Sequence, residues 1–268
     1  MPLNNQHILL TGATGGIGRH LALMLARKGA NLALAGRDTH KLQALADEII
    51  SKGGNAVCVI ADFTQAGAAQ QVIAETNKKL GSIDVLINNA GVLDFIQLED
   101  QSPERVEQMI HTNVTALIQL TQAVLPQFKA ANRGHFVMIG SILGSLGFPY
   151  YATYCASKFA VHGFSQALRR ELVETRIKVT YAAPRSVSTP MNDANTLAML
   201  AKTGGNLDEP DKVAAIIVKA IEQQKQEVFI GQPESFFAWL NGVAPKIVNF
   251  GLIKQAKLAK AFAIRNKK

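Results

Sequence analysis

The chain has 268 residues, 48% hydrophobic and 18% charged, which is ample for a substantial core in one large α/β domain or two small ones and excludes an extended, disordered chain. Met1 to Leu10 lacks a basic region leading into a long apolar run, and nowhere do about eighteen apolar residues follow one another, so neither a secretion signal nor a spanning helix is expected. The formal charge of +8 sits at one end: residues 1–234 hold 21 Lys and Arg against 20 Asp and Glu, while residues 235–268 hold seven basic residues and no acid.

The basic balance therefore belongs to the tail, and no nucleic-acid motif accompanies it, so nucleic acid is not an expected partner. Two cysteines, Cys58 and Cys155, match no metal-ligand spacing. A reduced, cytoplasmic protein with neither disulfide nor metal is the expectation.

In chain order, His7 to Thr11 reads as a strand running into T-G-A-T-G-G-I-G, and Arg19 to Lys28 has helical spacing of Leu21 and Leu25. In a strand, glycine turn and helix of this kind, Gly12 makes the tight turn, Gly16 lets the backbone approach a pyrophosphate, and Gly18 permits close packing of helix on strand. A glycine-rich turn without a ligand would have the same sequence. Asn31 to Ala35 is a second strand, followed by Gly36 and Arg37 where an NAD-selective site would carry an acid. Glycine leaves room for a 2′-phosphate and the guanidinium can bind it, so NADP(H) is expected over NAD(H); the competing role for Arg37 is a pair with Asp38.

Asp38 or Thr39 can cap a helix to about Ser51, and Ala56 to Ala61 forms a strand ending at Asp62. A helix over about Gln65 to Leu80 and a strand over Asp84 to Ile87 follow, the latter running into N-N-A-G. This alternation implies a parallel, doubly wound sheet. Asp62 would then accept from an adenine amino group, and Asn89, Ala90 and Gly91 would line ribose and nicotinamide, unless these residues only shape turns. A helical stretch from Pro103 to about Ala130 is interrupted near Thr112 and Asn113. Gly134 to Ser141 is a fifth strand, the helix carrying Tyr154 runs to about Thr175, Ile177 to Ala183 is a sixth strand, and Glu227 to Ile230 is a short seventh.

Tyr154 and Lys158 are one helical turn apart, so a phenol and an ammonium share a face. An ammonium about 4 Å away at an effective dielectric of about 20 favours phenolate by about 4 kcal/mol, roughly three pKa units. Tyr154 is thus expected to exchange a proton near neutral pH. The loop with Gly144, Gly147 and Pro149 can bring the Ser141 hydroxyl alongside.

Taken together, Thr11 to Gly18, Asp62, Asn88 to Gly91, Asn113, Ser141 and the Tyr154/Lys158 pair closely resemble the short-chain dehydrogenase/reductase family over about residues 5 to 232. The resemblance implies a Rossmann-like α/β fold with a doubly wound, seven-stranded parallel sheet. It implies a catalytic tetrad of Asn113, Ser141, Tyr154 and Lys158, in which tyrosine transfers the proton, serine holds the substrate oxygen, lysine binds the nicotinamide ribose and shifts the phenol, and asparagine supports a water relay. Cofactor contacts are implied at Thr11, Gly12, Gly16, Ile17, Gly18, Arg37, Asp62, Asn89, Ala90, Gly91, Lys158, Pro184 and Thr189. Thr189 would hold the carboxamide. A dimer or tetramer built on the helices of Asn113 and Tyr154 is also implied. The chain departs from the family pattern at Arg185, which replaces a glycine after Pro184; it would either bind an acidic substrate group or point outward.

The expected activity is NADP(H)-dependent interconversion of a carbonyl and an alcohol. The candidate pocket walls Leu93, Phe95, Ile142, Leu143, Phe148, Tyr150, Tyr151, Met191 and Leu197 suggest a lipophilic substrate. The alternative is a catalytically silent, cofactor-binding scaffold. Beyond the domain of residues 1–232, residues 233–268 form a helical extension. There Phe236, Leu240, Val243, Ile247 and Phe250 fall on one helical face, with Pro245 and Gly251 expected to break the segment. This basic, apolar tail suits either packing on the domain or a partner subunit, or peripheral attachment to an anionic membrane surface.

Overall fold

The computed structural model describes residues 1–65 and 67–263. Seven strands, β1 (His7–Thr11), β2 (Asn31–Gly36), β3 (Asn55–Ile60), β4 (Val85–Asn88), β5 (His135–Ile139), β6 (Lys178–Pro184) and β7 (Glu227–Ile230), form one parallel sheet in the order β3-β2-β1-β4-β5-β6-β7. The order reverses between β1 and β4, which opens a crevice at the carboxyl ends of those strands.

Successive strand residues face opposite sides, and both sides are covered, so the strands read as unbroken apolar runs. Ile8, Leu10, Leu32 and Leu34 pack with Leu21 and Leu25 of α1 (Gly16–Arg27), Leu42 and Leu45 of α2 (Thr39–Ser51) and Ile217 and Ile221 of α8 (Pro210–Glu222). Leu9, Ala33 and Leu86 face α3 (Ala68–Leu80), α5 (Ala116–Ala131) and α6 (Ala152–Glu171) through Val72, Leu120, Val124 and Val161. The remaining helices are α4 (Pro103–Ile110), α7 (Ala194–Thr203), α9 (Glu234–Val243) and α10 (Pro245–Ala263).

Four local expectations are refined in detail. Helix α1 begins at Gly16, inside the glycine stretch rather than after it, with Gly15 at the cap. Of the two candidate caps for α2, Asp38 takes the role, its Oδ1 accepting from Lys41 N–H at 3.0 Å. The interruption near Asn113 is one π-helical turn, His111–Thr115, between α4 and α5. Strand β5 stops at Ile139, which leaves Ser141 at the head of the following loop.

The tail differs more. Pro245 does separate two helices, but Gly251 lies inside α10 without breaking it. The stripe from Phe236 to Phe250 therefore spans two helices rather than one face. Ala238 and Val248 pack on Ile142 and Leu146, and Ala259 and Ala263 pack in a cluster with Phe95, Met109, Tyr151, Tyr154 and Met199. The inner faces of α9 and α10 are part of the core beside Tyr154. Of the seven basic tail residues, Arg265, Lys267 and Lys268 lie outside the described residues. No helix among the described residues is long and apolar enough to cross a membrane.

Candidate active site

The glycine turn closes where β1 and β4 end. Gly12 has φ +61°, and a Cβ there would stand 2.9 Å from Ala90 Cα, so both conformation and space call for glycine. A Cβ on Gly18 would meet the Gly12 carbonyl oxygen at 2.1 Å, which makes it the close-packing position. At Gly16 the neighbour is Thr189, whose Cγ2 would be 2.2 Å from a Cβ, so the loop after β6 folds onto the turn. Helix α1 has no side-chain cap and no acid in its first turn. Its uncapped N–H groups and positive dipole end border the cavity, which fits a pyrophosphate.

Thr11, one of the cofactor contacts that the resemblance implies, is buried at the end of β1. Its hydroxyl accepts from the N–H groups of Asn89 (2.9 Å) and Ala90 (3.0 Å) and donates to Ile87 O (3.3 Å). One donor and two lone pairs are then fully used, and the buried Thr11 hydroxyl is committed to holding the turn. Asn89 donates through Nδ2 to the carbonyls of Thr11 and Gly12, both at 3.0 Å, and with Ala90, Gly91 and Ile17 borders the cavity.

Arg37 is exposed at the end of β2. Asp38 is engaged by Lys41 rather than by Arg37. The carboxyl of Asp62 is drawn below its usual range, first by the Thr64 N–H and more weakly by the charge of Arg37. Both residues lie beyond the main cavity, at the β2 and β3 ends where the adenosine of a dinucleotide on this turn would extend.

At the other end of the cavity, Ser141, Tyr154 and Lys158 are buried together. The Ser141 side chain lies beside Tyr154 and draws its phenol down weakly, and Ser141 Oγ accepts from Leu143 N–H at 3.1 Å. Lys158 Nζ lies 5.8 Å from the centre of the Tyr154 ring and donates to Ile139 O at 2.9 Å. This geometry overturns the expected lowering of the phenol. Burial is the largest influence on Tyr154 and raises it above its usual value, with the Ser141 side chain a lesser, opposing effect. Burial also lowers Lys158, from 10.5 to about 8. Desolvation therefore favours the neutral form of both side chains.

Asn113 is buried in the π turn, accepting from Val92 N–H at 2.8 Å and donating to Val92 O at 2.8 Å and Ser157 Oγ at 3.0 Å. It fastens the loop after β4 to α6.

Tyr181 went unread in the sequence because it stands inside an apolar strand with no motif around it. Its hydroxyl accepts from Ser141 N–H (3.4 Å) and donates to Ser141 O (3.1 Å). A Cβ on Gly140 would lie 2.1 Å from its ring and one on Gly144 2.5 Å from its oxygen, so both glycines make room for it. His162 stacks on its other side, 4.4 Å between centroids, with Nδ1 3.0 Å from Ser145 Oγ.

The cavity has a volume of about 1110 Å³. Of the expected walls, Leu93, Ile142, Leu143, Phe148, Tyr151 and Met191 border it. Phe95 and Tyr150 stand behind Tyr151 in an aromatic group, and Leu197 turns to solvent. Further walls come from α7, α9 and α10, including Met199, Leu240, Val248 and Leu252, so the tail packs over the cleft. Pro184 and Thr189 border it as well. Arg185 neither points outward nor awaits an acidic ligand: it pairs with Asp208 at 2.6 Å and Glu234 at 2.8 Å and covers Gly231.

Comparison with known proteins agrees with this architecture. The short chain dehydrogenase family profile matches residues 6–199. Dehydrogenase/reductase SDR family member 7B of Bos taurus is 31% identical over 256 residues, covering 91% of this chain and 79% of that protein. A metagenomic short-chain oxidoreductase solved in complex with NADP has a TM-score of 0.73 at 29% identity, covering 86% of this chain and 98% of its own. A short chain dehydrogenase/reductase from Burkholderia phymatum solved with NAD has a TM-score of 0.84 at 22% identity, covering 92% and 96%, a likeness of fold. The chain belongs to the short-chain dehydrogenase family and is an oxidoreductase of that family.

Proposed function

We propose that this oxidoreductase is an NADP(H)-dependent carbonyl reductase acting on a lipophilic ketone or aldehyde. The observation that carries the reading is the gathering of Tyr154, Ser141 and Lys158, buried together at the inner end of a largely apolar cavity with Lys158 Nζ 5.8 Å from the centre of the Tyr154 ring. A neutral phenol suits proton donation to a carbonyl oxygen, which is the reductive direction.

The residues that fit the cofactor are the glycine turn with the α1 N-terminus for the pyrophosphate, Arg37 for the 2′-phosphate, Asp62 at the adenine end, Lys158 with Asn89 to Gly91 at the ribose, and Thr189 at the carboxamide. When bound, NADPH supplies the hydride. Tyr154 donates its proton as the carbonyl oxygen gains charge, and Ser141 presents a second donor to that oxygen. Asn113 keeps the loop after β4 in register with α6, and its π turn is the proposed start of a water relay. NADP is preferred over NAD on Gly36 and Arg37, and the 29%-identical relative solved with NADP is in keeping with that choice. We also propose a homo-oligomer joined through the helices flanking Asn113 and Tyr154.

The test is Tyr154→Phe. Turnover of NADPH with medium-chain ketones should fall by about 10²- to 10⁴-fold while NADPH affinity in a fluorescence titration stays unchanged. A variant retaining a tenth of the wild-type rate sinks the proton-donor role. Wild-type protein that binds NADPH yet reduces no ketone or aldehyde would instead be the silent scaffold.

A further inference from the structure

Whereas the inner faces of α9 and α10 are packed, their outer faces are not. Phe236, Phe237, Trp239, Val243, Ile247, Phe250 and Ile253 are between 43% and 81% exposed, crowded onto two consecutive short helices. The rings of Phe236 and Phe237 are 5.8 Å apart and those of Phe236 and Trp239 5.7 Å, so they form one surface cluster. A contiguous apolar patch of this kind marks a surface that meets another body.

Two observations identify that body. First, Phe237, Ile247 and Phe250 belong both to the patch and to the cavity wall, so the patch is the rim of the cavity. Second, Lys246, Lys254, Lys257 and Lys260 are exposed on the same helix, and residues 235–268 contain no acid. Two copies meeting through this face would bring like charges together. Exposed aromatic side chains on one helix and exposed lysines on the next suit the boundary between acyl chains and anionic headgroups.

We infer that α9 and α10 seat the protein on an anionic lipid bilayer, with the cavity mouth opening into the headgroup region so that a lipophilic substrate enters from the membrane. The seating stands independently of the proposed activity; the entry of substrate rests on it.

The chain contains one tryptophan, Trp239, which reports the seating directly. With full-length protein and vesicles of phosphatidylserine and phosphatidylcholine, Trp239 emission should shift to the blue and the protein should co-sediment. Binding should be at least tenfold weaker on phosphatidylcholine alone and should fall as salt is raised. Phe236→Ser/Val243→Ser/Ile253→Ser keeps Trp239 and touches no cavity residue. It should lose vesicle binding at least tenfold while reducing a short, water-soluble ketone at the wild-type rate. Lys246→Gln/Lys254→Gln/Lys257→Gln should weaken binding to anionic vesicles and remove its salt dependence. Three results overturn the inference: no blue shift and no co-sedimentation of the wild type, equal binding to neutral vesicles, or a changed oligomeric state of the apolar triple variant in analytical ultracentrifugation. The last would make the face a subunit contact. Vesicle binding without ketone reduction would leave the seating intact and remove only the proposed activity.

Discussion

The cavity wall built from the glycine turn, Asn89 to Gly91 and the serine loop is fastened by directional hydrogen bonds at about 3 Å, from Thr11, Asn113 and Tyr181 to backbone groups. The facing wall, built from α7, α9 and α10, is fastened by apolar contact and by the ion pairs of Arg185. Directional bonds demand particular residues at particular places, whereas apolar contact accepts many residues of similar volume. On the proposed reading the first wall would hold the dinucleotide and the second the substrate, so the rigid construction would serve the cofactor and the adaptable one specificity.

The strongest way to break the cofactor wall is Lys158→Met, with an expected loss of about 10²- to 10⁴-fold in turnover and weaker NADPH binding. The same change should stabilise the fold. The folded value of Lys158, about 8, lies below its unfolded 10.5, so the native protein sheds this proton first and gains stability as pH rises between those values. At pH 7 the buried ammonium costs roughly 3 kcal/mol; methionine removes that cost and loses a hydrogen bond worth about 1 kcal/mol. Calorimetry should register a rise of a few degrees in Tm at pH 7 that shrinks by pH 9.5. A lower Tm at pH 7 would contradict the assignment.

On the substrate wall, Arg185→Met should cost about 1–2 kcal/mol, discounted for the partial exposure of its pairs with Asp208 and Glu234. Because Glu234 begins α9, the KM for a long-chain ketone should rise while the NADPH Kd holds. An unchanged KM would mean that α9 is positioned without this arginine. Tyr181→Phe probes the seam between the walls. It leaves the Ser141 N–H without its partner, while the carbonyl keeps only the Gly144 N–H at 2.9 Å, and about a tenfold fall in kcat at constant NADPH affinity is expected. The smallest effect should come from Arg37→Ala. Wild type is expected to prefer NADPH over NADH by at least tenfold, about 1.4 kcal/mol, and the variant should lose most of that preference in paired titrations.

Legibility follows the same division. Tyr154 and Lys158 lie on one helix at one-turn spacing, and Gly12, Gly16 and Gly18 lie in one turn, so their association is local and the sequence displays it. Tyr181 touches Ser141 across 40 residues, and Ala259 joins the buried cluster of Tyr154 from the far end of the chain, associations that no spacing rule registers. Arg185 was visible as a departure from the family pattern, but its partners Asp208 and Glu234 were not, because ion pairs between loops leave no periodic trace.

By itself the sequence determined the parallel, doubly wound sheet and many of the residues at the carboxyl ends of its strands, since strand and helix periodicity and glycine chemistry act within a few residues of themselves. Only the tertiary structure decided the ionisation of the pair. Spacing put an ammonium near a phenol and implied a lowered phenol, but the side-chain conformations and the depth of burial set the outcome, so that desolvation raises Tyr154 and lowers Lys158. It also decided that one side of the tail is core and the other a bare apolar rim, because burial depends on what arrives from elsewhere in the chain.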